Sequence, residues 1–227
     1  MNKEEILKEL KSLHDPVSME GMKRGGINPD KAFGIKIPVL RKMAKKIKKN
    51  HGLALELWDL GYRETMILAA MIDDPAQVTE KQMERWVLSE YFSYWEVVDQ
   101  ACMNLFYLTE FAYQKAIEWS SREEEFVKRA AFALMAVLAW KDKVAEDKML
   151  ERFFTYIAKE SIDGRNSVKK SVNWALRQIG KRNLSLNKKA LEIARKILES
   201  DSKSAKWIAK DAIKELESDA VQERFQK

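Results

Sequence analysis

Two residues with complementary chemistry, Trp95 and Asp99, lie four positions apart in the middle of the chain. On a helix this spacing places both side chains on one face, while Glu96 points elsewhere. The indole face of Trp95 attracts a cation, and the carboxylate of Asp99 adds a negative charge at the same place. The pair therefore suits a sugar carbon that acquires positive charge. The structural alternative is a core tryptophan and an aspartate that caps a helix or pairs with a neighbouring lysine.

Two further side chains are candidates for binding, Trp174 and Arg129. Trp174 lies between Lys170 and Arg177, and aromatic rings interleaved with basic residues are common on nucleic-acid surfaces. The alternative for Trp174 is packing between helices. The alternative for Arg129 is a salt bridge between helices.

The residue patterns of other common active sites do not occur in the sequence. The two histidines, His14 and His51, lack the spacing of metal ligands, and the single cysteine, Cys102, lies in an apolar stretch. An enzyme built on this chain would therefore rely on a carboxylate and on the shape of its site, with no metal or cofactor. The single cysteine fits a reducing, cytoplasmic location. The longest apolar run, residues 130–140, is too short to span a membrane and predicts a buried helix.

The basic residues are concentrated in two segments that contain no acidic residue. Residues 36–49 include seven basic residues and residues 165–183 include six, whereas residues 56–99 include ten acidic and three basic ones. With a net charge of +6, this distribution favours an acidic partner, because each cation that contacts a phosphate releases counterions. From these segments we expect contacts to a nucleic-acid backbone by Arg41, Lys42, Lys45, Lys169, Lys170 and Arg177. A solvated helix face is the alternative for either segment taken alone.

Helix-forming residues dominate the chain after Pro75, the last of its four prolines. Pro38 is predicted to lie in the first turn of a helix, because proline is tolerated there. Residues 93–108 and 147–161 are predicted as single helices, and residues 18–33 as a loop.

A short pattern recurs at residues 127–131, 168–172 and 205–209, with spacings of 41 and 37 residues. This is the period of HEAT or armadillo units, in which stacked helix pairs complete one another's core. We therefore predict an all-α fold in one domain, residues 1–227. It would be a right-handed α-solenoid of HEAT-like antiparallel helix pairs with a concave, basic groove.

Four segments resemble, in order along the chain, those of the AlkD-type DNA alkylation repair glycosylases. Residues 34–41 read GIKIPVLR and resemble the start of the first basic helix of that family. Residues 94–99 read YWEVVD, residues 126–131 read FVKRAA and residues 172–177 read VNWALR. Their order and spacing cover most of the chain.

The resemblance implies a HEAT-like DNA glycosylase that acts without a metal. Its partner would be double-stranded DNA containing alkylated bases, and it would hydrolyse the N-glycosidic bond of cationic N3- or N7-alkylated purines. Carried over by position, Asp99 is the catalytic carboxylate, Trp95 and Trp174 are aromatic walls beside the deoxyribose, and Arg129 contacts the DNA backbone. We expect a monomer with no obligate protein partner and no membrane association.

Two features depart from the family pattern. Glu96 stands where an aspartate is usual, and residues 177–183 look like those of a distinct subgroup. The alternative functions are therefore a HEAT-repeat protein that binds nucleic acid without catalysis, and a protein-interaction scaffold.

Overall fold

A computed structural model of the chain describes residues 1–25 and 29–226, and all regular structure within them is helical. The α-helices within these residues are α1 (Lys3–Ser12), α2 (Pro16–Arg24), α3 (Ile37–Ile47), α4 (His51–Trp58), α5 (Arg63–Ile72), α6 (Glu80–Val87), α7 (Trp95–Asn104), α8 (Ala112–Glu118), α9 (Glu125–Lys141), α10 (Asp147–Glu151), α11 (Phe153–Glu160), α12 (Asn166–Gly180), α13 (Leu184–Leu198), α14 (Lys203–Leu216) and α15 (Asp219–Gln222). Short 3₁₀ turns occupy Pro29–Lys31, Phe106–Leu108, Trp119–Ser121 and Glu223–Phe225. The predicted all-α fold is confirmed for the described residues.

The chain divides into two compact units, Met1–Thr109 and Glu110–Lys227. In the first unit α3, α5 and α7 form a layer with α5 in the middle, and α4 packs against α5. Trp58 of α4 stacks on Trp86 of α6, with ring centroids 3.8 Å apart, which buries two large apolar side chains at once. The α3–α5–α7 layer presents the first basic segment and the Trp95–Asp99 pair. The expectation of one continuous domain stays a prediction.

In the second unit α12 packs against both α9 and α14, so these three helices lie side by side. Helices α8, α11 and α13 pack against this α9–α12–α14 layer. The three recurring patterns lie near the N-termini of α9, α12 and α14, and their first residues Val127, Val168 and Ala205 are all buried. The repeat is therefore a packing repeat, because equivalent apolar positions fill equivalent places in the core.

Hydrogen bonds between neighbouring helices of this layer also follow the repeat. Arg129 donates to the carbonyl oxygen of Ser167, and Asn173 donates to the carboxylate of Asp211, each across 38 residues of sequence. Ser204 of α14 donates to the carbonyl oxygen of Asp163, in the turn before α12, across 41 residues. Each helix of the layer is thus tied to the next at the spacing of one repeat.

The structure corrects three details of the sequence interpretation. Residues 18–24 of the predicted loop belong to α2, which Asp15 caps by accepting hydrogen bonds from the backbone N–H groups of Val17 and Ser18. Gly26 lies outside the described residues. The two segments predicted as single helices, 93–108 and 147–161, are each interrupted, at Leu105 and at Arg152. Trp140, at the end of the apolar run, is 48% exposed rather than buried. Among the described residues, none of the helices is long and apolar enough to cross a bilayer.

The segment before α3 has a backbone conformation that requires glycine. Gly34 has a φ of +77°, and a methyl group on its Cα would overlap the carbonyl oxygen of Asp15. The adjacent Phe33 carbonyl accepts a hydrogen bond from the backbone N–H of Asp15, at 2.8 Å. Gly34 therefore allows α3 to begin close against the start of α2.

We expect Gly34→Ala to destabilise the protein. The left-handed conformation alone costs an L-residue about 1–2 kcal/mol, and the overlap with Asp15 adds to it. Urea unfolding of the variant and the unchanged protein measures the difference. Gly21→Ala is the matched control, since Gly21 lies in α2 with nothing within 4 Å of the added methyl group, and alanine there should stabilise by about 0.5–1 kcal/mol. Equal stability of Gly34→Ala and the unchanged protein would contradict the role given to Gly34.

Candidate functional site

Helix α7 holds Trp95 and Asp99 at its N-terminal end. Trp95 is the first residue of the helix and Asp99 lies one turn later, so the two share the predicted face. The opposite side of α7 is anchored by Val97, Val98 and Ala101, which are buried. The Trp95 indole is 39% exposed and its Nε1 donates to the carbonyl oxygen of Gly25 at 3.4 Å, while Asp99 is half-buried. The alternative of a core tryptophan is therefore wrong for Trp95.

A buried ion pair fixes the position of α7 relative to the start of α3. The Arg63 side chain is 2% exposed and that of Glu64 is 0% exposed, and the two form a salt bridge of 2.8 Å. Arg63 also binds Glu96 of α7 at 2.6 Å and donates to the carbonyl oxygen of Ile35 at 3.0 Å. Glu96 thus has a structural partner on α5.

The Glu64 carboxylate binds the backbone of the glycine segment directly. Its two oxygens accept hydrogen bonds from the backbone N–H groups of Phe33, at 2.9 Å, and Ile35, at 3.1 Å. A carboxylate with three donors is well satisfied, which a buried charge requires. Sequence analysis missed this network, although two adjacent ionisable residues at the start of a strongly apolar helix were the signal for it.

Helix α3 presents a face of unpaired cations. Leu40 and Met43 are buried, whereas Arg41, Lys42 and Lys45 are exposed. None of these three has a carboxylate within ion-pair distance in the part of the chain that the structure describes. The first basic segment therefore keeps its positive charge in the folded unit.

Arg129 and its neighbour Lys128 lie near the N-terminus of α9, and both are 6% exposed. The Arg129 guanidinium donates to the Ser167 carbonyl at 2.8 Å and so holds α9 to the start of α12. Lys128 binds Glu160 at 2.7 Å and Asp163 at 3.5 Å. Burial disfavours the charged form of Asp163, but its hydrogen bonds from Arg165 outweigh this effect and lower its pKa.

The N-terminal half of α12 carries the second candidate surface. Lys170 is exposed and Trp174, one turn later on the same face, is half-buried. The ammonium group of Lys169 lies 4.9 Å from the ring centroid of Trp207 on α14, a cation–π geometry. A half-buried tryptophan has a ring edge or face at the surface, as the predicted role of Trp174 requires.

The C-terminal half of α12 is different, because carboxylates of α14 balance its charges. Arg177 forms salt bridges with Glu215 and, at 3.4 Å, with Asp211. Lys181 binds Glu215 at 2.5 Å. The second basic segment contains no acid in sequence, yet Arg177 and Lys181 are paired with carboxylates of α14. Lys169 and Lys170, in its N-terminal half, have no carboxylate partner among the described residues. A DNA contact by Arg177 stays a prediction, and its guanidinium already has two anionic partners.

Most of the predicted site residues are thus grouped within their units. In the first unit α7 brings Trp95 and Asp99 together, and α3 aligns Arg41, Lys42 and Lys45. In the second unit Arg129 contacts the start of α12, the helix that carries Lys169, Lys170 and Trp174. The roles of these residues and the concave groove stay predictions.

Comparison with known proteins finds a family model and a relative that match most of the chain. A family model described as "DNA alkylation repair enzyme" matches residues 6–216. An uncharacterized protein of Listeria innocua is 25% identical over 194 residues, which cover 83% of each chain.

A solved structure has the same fold. It comes from a new family of proteins related to the HEAT-like repeat DNA glycosylases, with affinity for branched DNA structures. It matches with a TM-score of 0.77 and 21% identity, over 93% of this chain and 94% of the other. The predicted HEAT-like fold is thereby confirmed.

We expect the ion pairs at the end of α12 to make stability depend on acid pH. Burial of Glu215 opposes its ionisation, but Lys181 and Arg177 outweigh that effect and hold its pKa below the ordinary value of 4.5. Between the lowered pKa and 4.5 the unfolded chain binds more protons, so this stabilisation is complete above pH 4.5 and is lost as the pH falls through the folded-state pKa. In urea unfolding across pH 3–7, Glu215→Gln should be less stable than the unchanged protein at pH 6, and the difference should shrink in acid.

The control for that experiment is Glu217→Gln, which removes a carboxylate paired with Arg195 at the surface. Parallel stability curves for Glu215→Gln and the unchanged protein would contradict the importance of the Glu215 pairs.

Proposed function

We propose that this chain, which belongs to the family of DNA alkylation repair enzymes, is a DNA glycosylase that removes cationic N3- or N7-alkylated purines from duplex DNA. The observation that carries the proposal is the pair on α7. The indole of Trp95 is exposed enough to contact a ligand, and the Asp99 carboxylate lies one turn away on the same face.

The chemistry needs few groups, because the substrate is already activated. An alkylated purine carries a positive charge, so when the N-glycosidic bond breaks its electron pair neutralises the leaving base. The positive charge moves to the deoxyribose, as in other glycoside cleavages. Water then adds to the sugar carbon and gives up a proton. No general acid has to protonate the base.

Asp99 and Trp95 supply the stabilisation that this step requires. A carboxylate held in place by a helix stabilises the positive sugar as it forms, with little rearrangement. The indole face adds a cation–π attraction to the same charge. The Trp174 ring, half-buried on α12, is the second aromatic group that we assign to contact with the DNA sugar.

Affinity for undamaged DNA comes from the surplus cations. The face of α3 that carries Arg41, Lys42 and Lys45 binds phosphates in our proposal, and Lys169 and Lys170 do so on α12. Arg129 contacts the DNA backbone at the start of α9. Phosphate contacts of this kind carry no sequence information, which suits an enzyme whose lesions occur in any sequence.

A second candidate function is DNA binding without catalysis. The solved relative with affinity for branched DNA favours it, because that protein shares the fold over nearly the whole chain. The two functions differ only in the release of bases, so one assay separates them.

We expect the protein to release 3-methyladenine or 7-methylguanine from methylated duplex DNA and Asp99→Asn to slow this release roughly 100-fold, as loss of one preorganised electrostatic group does elsewhere. The amide keeps the size of the side chain and removes its charge, so binding of unmethylated duplex should change little. Chromatography of released bases in single-turnover experiments, with fluorescence anisotropy for binding, gives both quantities. Asp201→Asn, in the turn before α14, is the matched control for loss of one carboxylate.

Undiminished release by Asp99→Asn would remove the catalytic role of Asp99. No release by the unchanged protein, with intact duplex binding, would leave the binding function alone.

We expect the triple variant Arg41→Ala, Lys42→Ala, Lys45→Ala to bind duplex DNA more weakly at every sequence. The slope of log affinity against log salt should fall by about 0.9 for each phosphate that the variant no longer neutralises. The matched control is Lys8→Ala, Lys11→Ala, Lys188→Ala, which removes three exposed cations, two on α1 and one on α13, outside the two layers. Equal slopes for the two triple variants would show that the α3 face does not bind DNA.

A further inference from the structure

A cavity of about 600 Å³ lies in the second unit at the C-terminal ends of α9 and α12. Its lining residues are Ala139, Trp140, Lys143, Gln178, Lys181, Arg182 and Arg224. The cavity starts at Gln178, about 12 Å along α12 from Lys170 at a rise of about 1.5 Å per residue. It is therefore separate from the surface that Lys169 and Lys170 form.

The cavity is strongly basic, even after its ion pairs are considered. Four of its lining residues are basic, and none of the described lining residues is acidic. Two of the four, Lys181 and Arg182, are engaged with neighbouring groups. The other two, Lys143 and Arg224, are exposed and have no carboxylate partner among the described residues.

Lys181 and Arg182 neutralise negative charge that would otherwise repel an anion from the cavity. The carbonyl end of a helix carries a partial negative charge. The Arg182 guanidinium donates to the carbonyl oxygens of Ala139 and Ala145, each at 3.1 Å, and so covers the end of α9. Lys181 binds Glu215. Lys143 and Arg224 are thus surplus charges over helix ends that are already neutralised.

An exposed aromatic ring completes the cavity. The indole of Trp140 is 48% exposed, although it follows a run of buried residues that ends at Ala139. The ammonium group of Lys141 lies 5.4 Å from the ring centroid. An exposed ring beside cations offers a stacking surface to a nucleic-acid base, and the cations can bind the phosphates of the same strand.

We propose that this cavity binds a nucleotide of an unpaired DNA strand. Lys143 and Arg224 bind successive phosphates, the base stacks on Trp140, and the Gln178 amide hydrogen-bonds the edge of the base. The two free cations lie on separate segments, the turn before α10 and the C-terminal 3₁₀ turn, which suits a continuous backbone better than one phosphate group. The base must be unpaired to give a free face to the indole. The inference rests on the proposed function only in taking DNA as the ligand.

The test compares a labelled single-stranded oligonucleotide, a blunt duplex and the same duplex with a single-stranded overhang, by fluorescence anisotropy. For the single strand and the overhang, the variant Lys143→Ala, Arg224→Ala should bind at least about fivefold more weakly, with the salt slope reduced by about 0.7 for each phosphate left without its cation. Trp140→Ala should lose about fivefold or more, while Trp140→Phe, which keeps a stacking ring, should retain most of the affinity. Affinity for the blunt duplex should stay within twofold for all three variants.

The matched control for the double variant is Lys188→Ala, Lys196→Ala, which removes two exposed cations from α13. Thermal unfolding confirms that each variant is folded. The proposal would be overturned if Trp140→Ala and the variant Lys143→Ala, Arg224→Ala both bound the single strand as tightly as the unchanged protein does. It would also be overturned by an equal loss in the control, an equal loss on the blunt duplex, or a free mononucleotide or an acidic peptide that competes as well as the oligonucleotide.

The same variants separate this inference from the proposed glycosylase function. Release of methylated bases from a blunt duplex should be unchanged in Lys143→Ala, Arg224→Ala, and Asp99→Asn should keep its affinity for the overhang. If Lys143→Ala, Arg224→Ala loses overhang binding but releases bases normally, the result supports strand binding at the cavity independently of the catalytic proposal. Normal overhang binding by Asp99→Asn with impaired base release would bear only on the role of Asp99.

Discussion

The buried ion pair of Arg63 and Glu64 is the interaction on which the first unit depends. Both side chains lie on α5, and between them they hold Glu96 of α7 and the backbone on either side of Gly34. Removing one partner of such a pair leaves a buried charge uncompensated, which typically costs about 3–5 kcal/mol. The cations of α3 and the Trp95–Asp99 face therefore take their positions from one pair of charges that neither ligand nor solvent reaches.

The distribution of free charge is a second constraint on function. The two basic segments look alike in sequence, because neither contains an acidic residue. In the folded chain the α3 segment keeps its charge, whereas Asp211 and Glu215 of α14 balance Arg177 and Lys181 of α12. Unpaired cations attract phosphates, while paired ones mainly stabilise the packing of two helices. Affinity for duplex DNA is thus expected from α3 and from the first half of α12.

Helix α12 also links two different surfaces of the second unit. Its N-terminal half carries Lys170 and Trp174, and its C-terminal end lines the cavity beside Trp140. Because a helix is rigid over such a length, both surfaces are held at a constant separation. An unpaired strand bound at the cavity and a duplex bound at Lys170 and Trp174 would therefore lie at a constant distance from each other.

Local features of the fold follow from the order of the residues alone. Helix-forming composition, the position of Pro38 and the repeat at Val127, Val168 and Ala205 follow from short-range rules, so the all-α repeat fold and the shared face of Trp95 and Asp99 were predictable from spacing. The partners of the charged side chains and the surroundings of Trp140 depend instead on the packing of the helices. The cause is distance along the chain: Glu96 meets Arg63 33 residues away and Arg177 meets Glu215 38 residues away. The identity of a residue does not say which distant carboxylate will neutralise it, because that depends on how the helices pack.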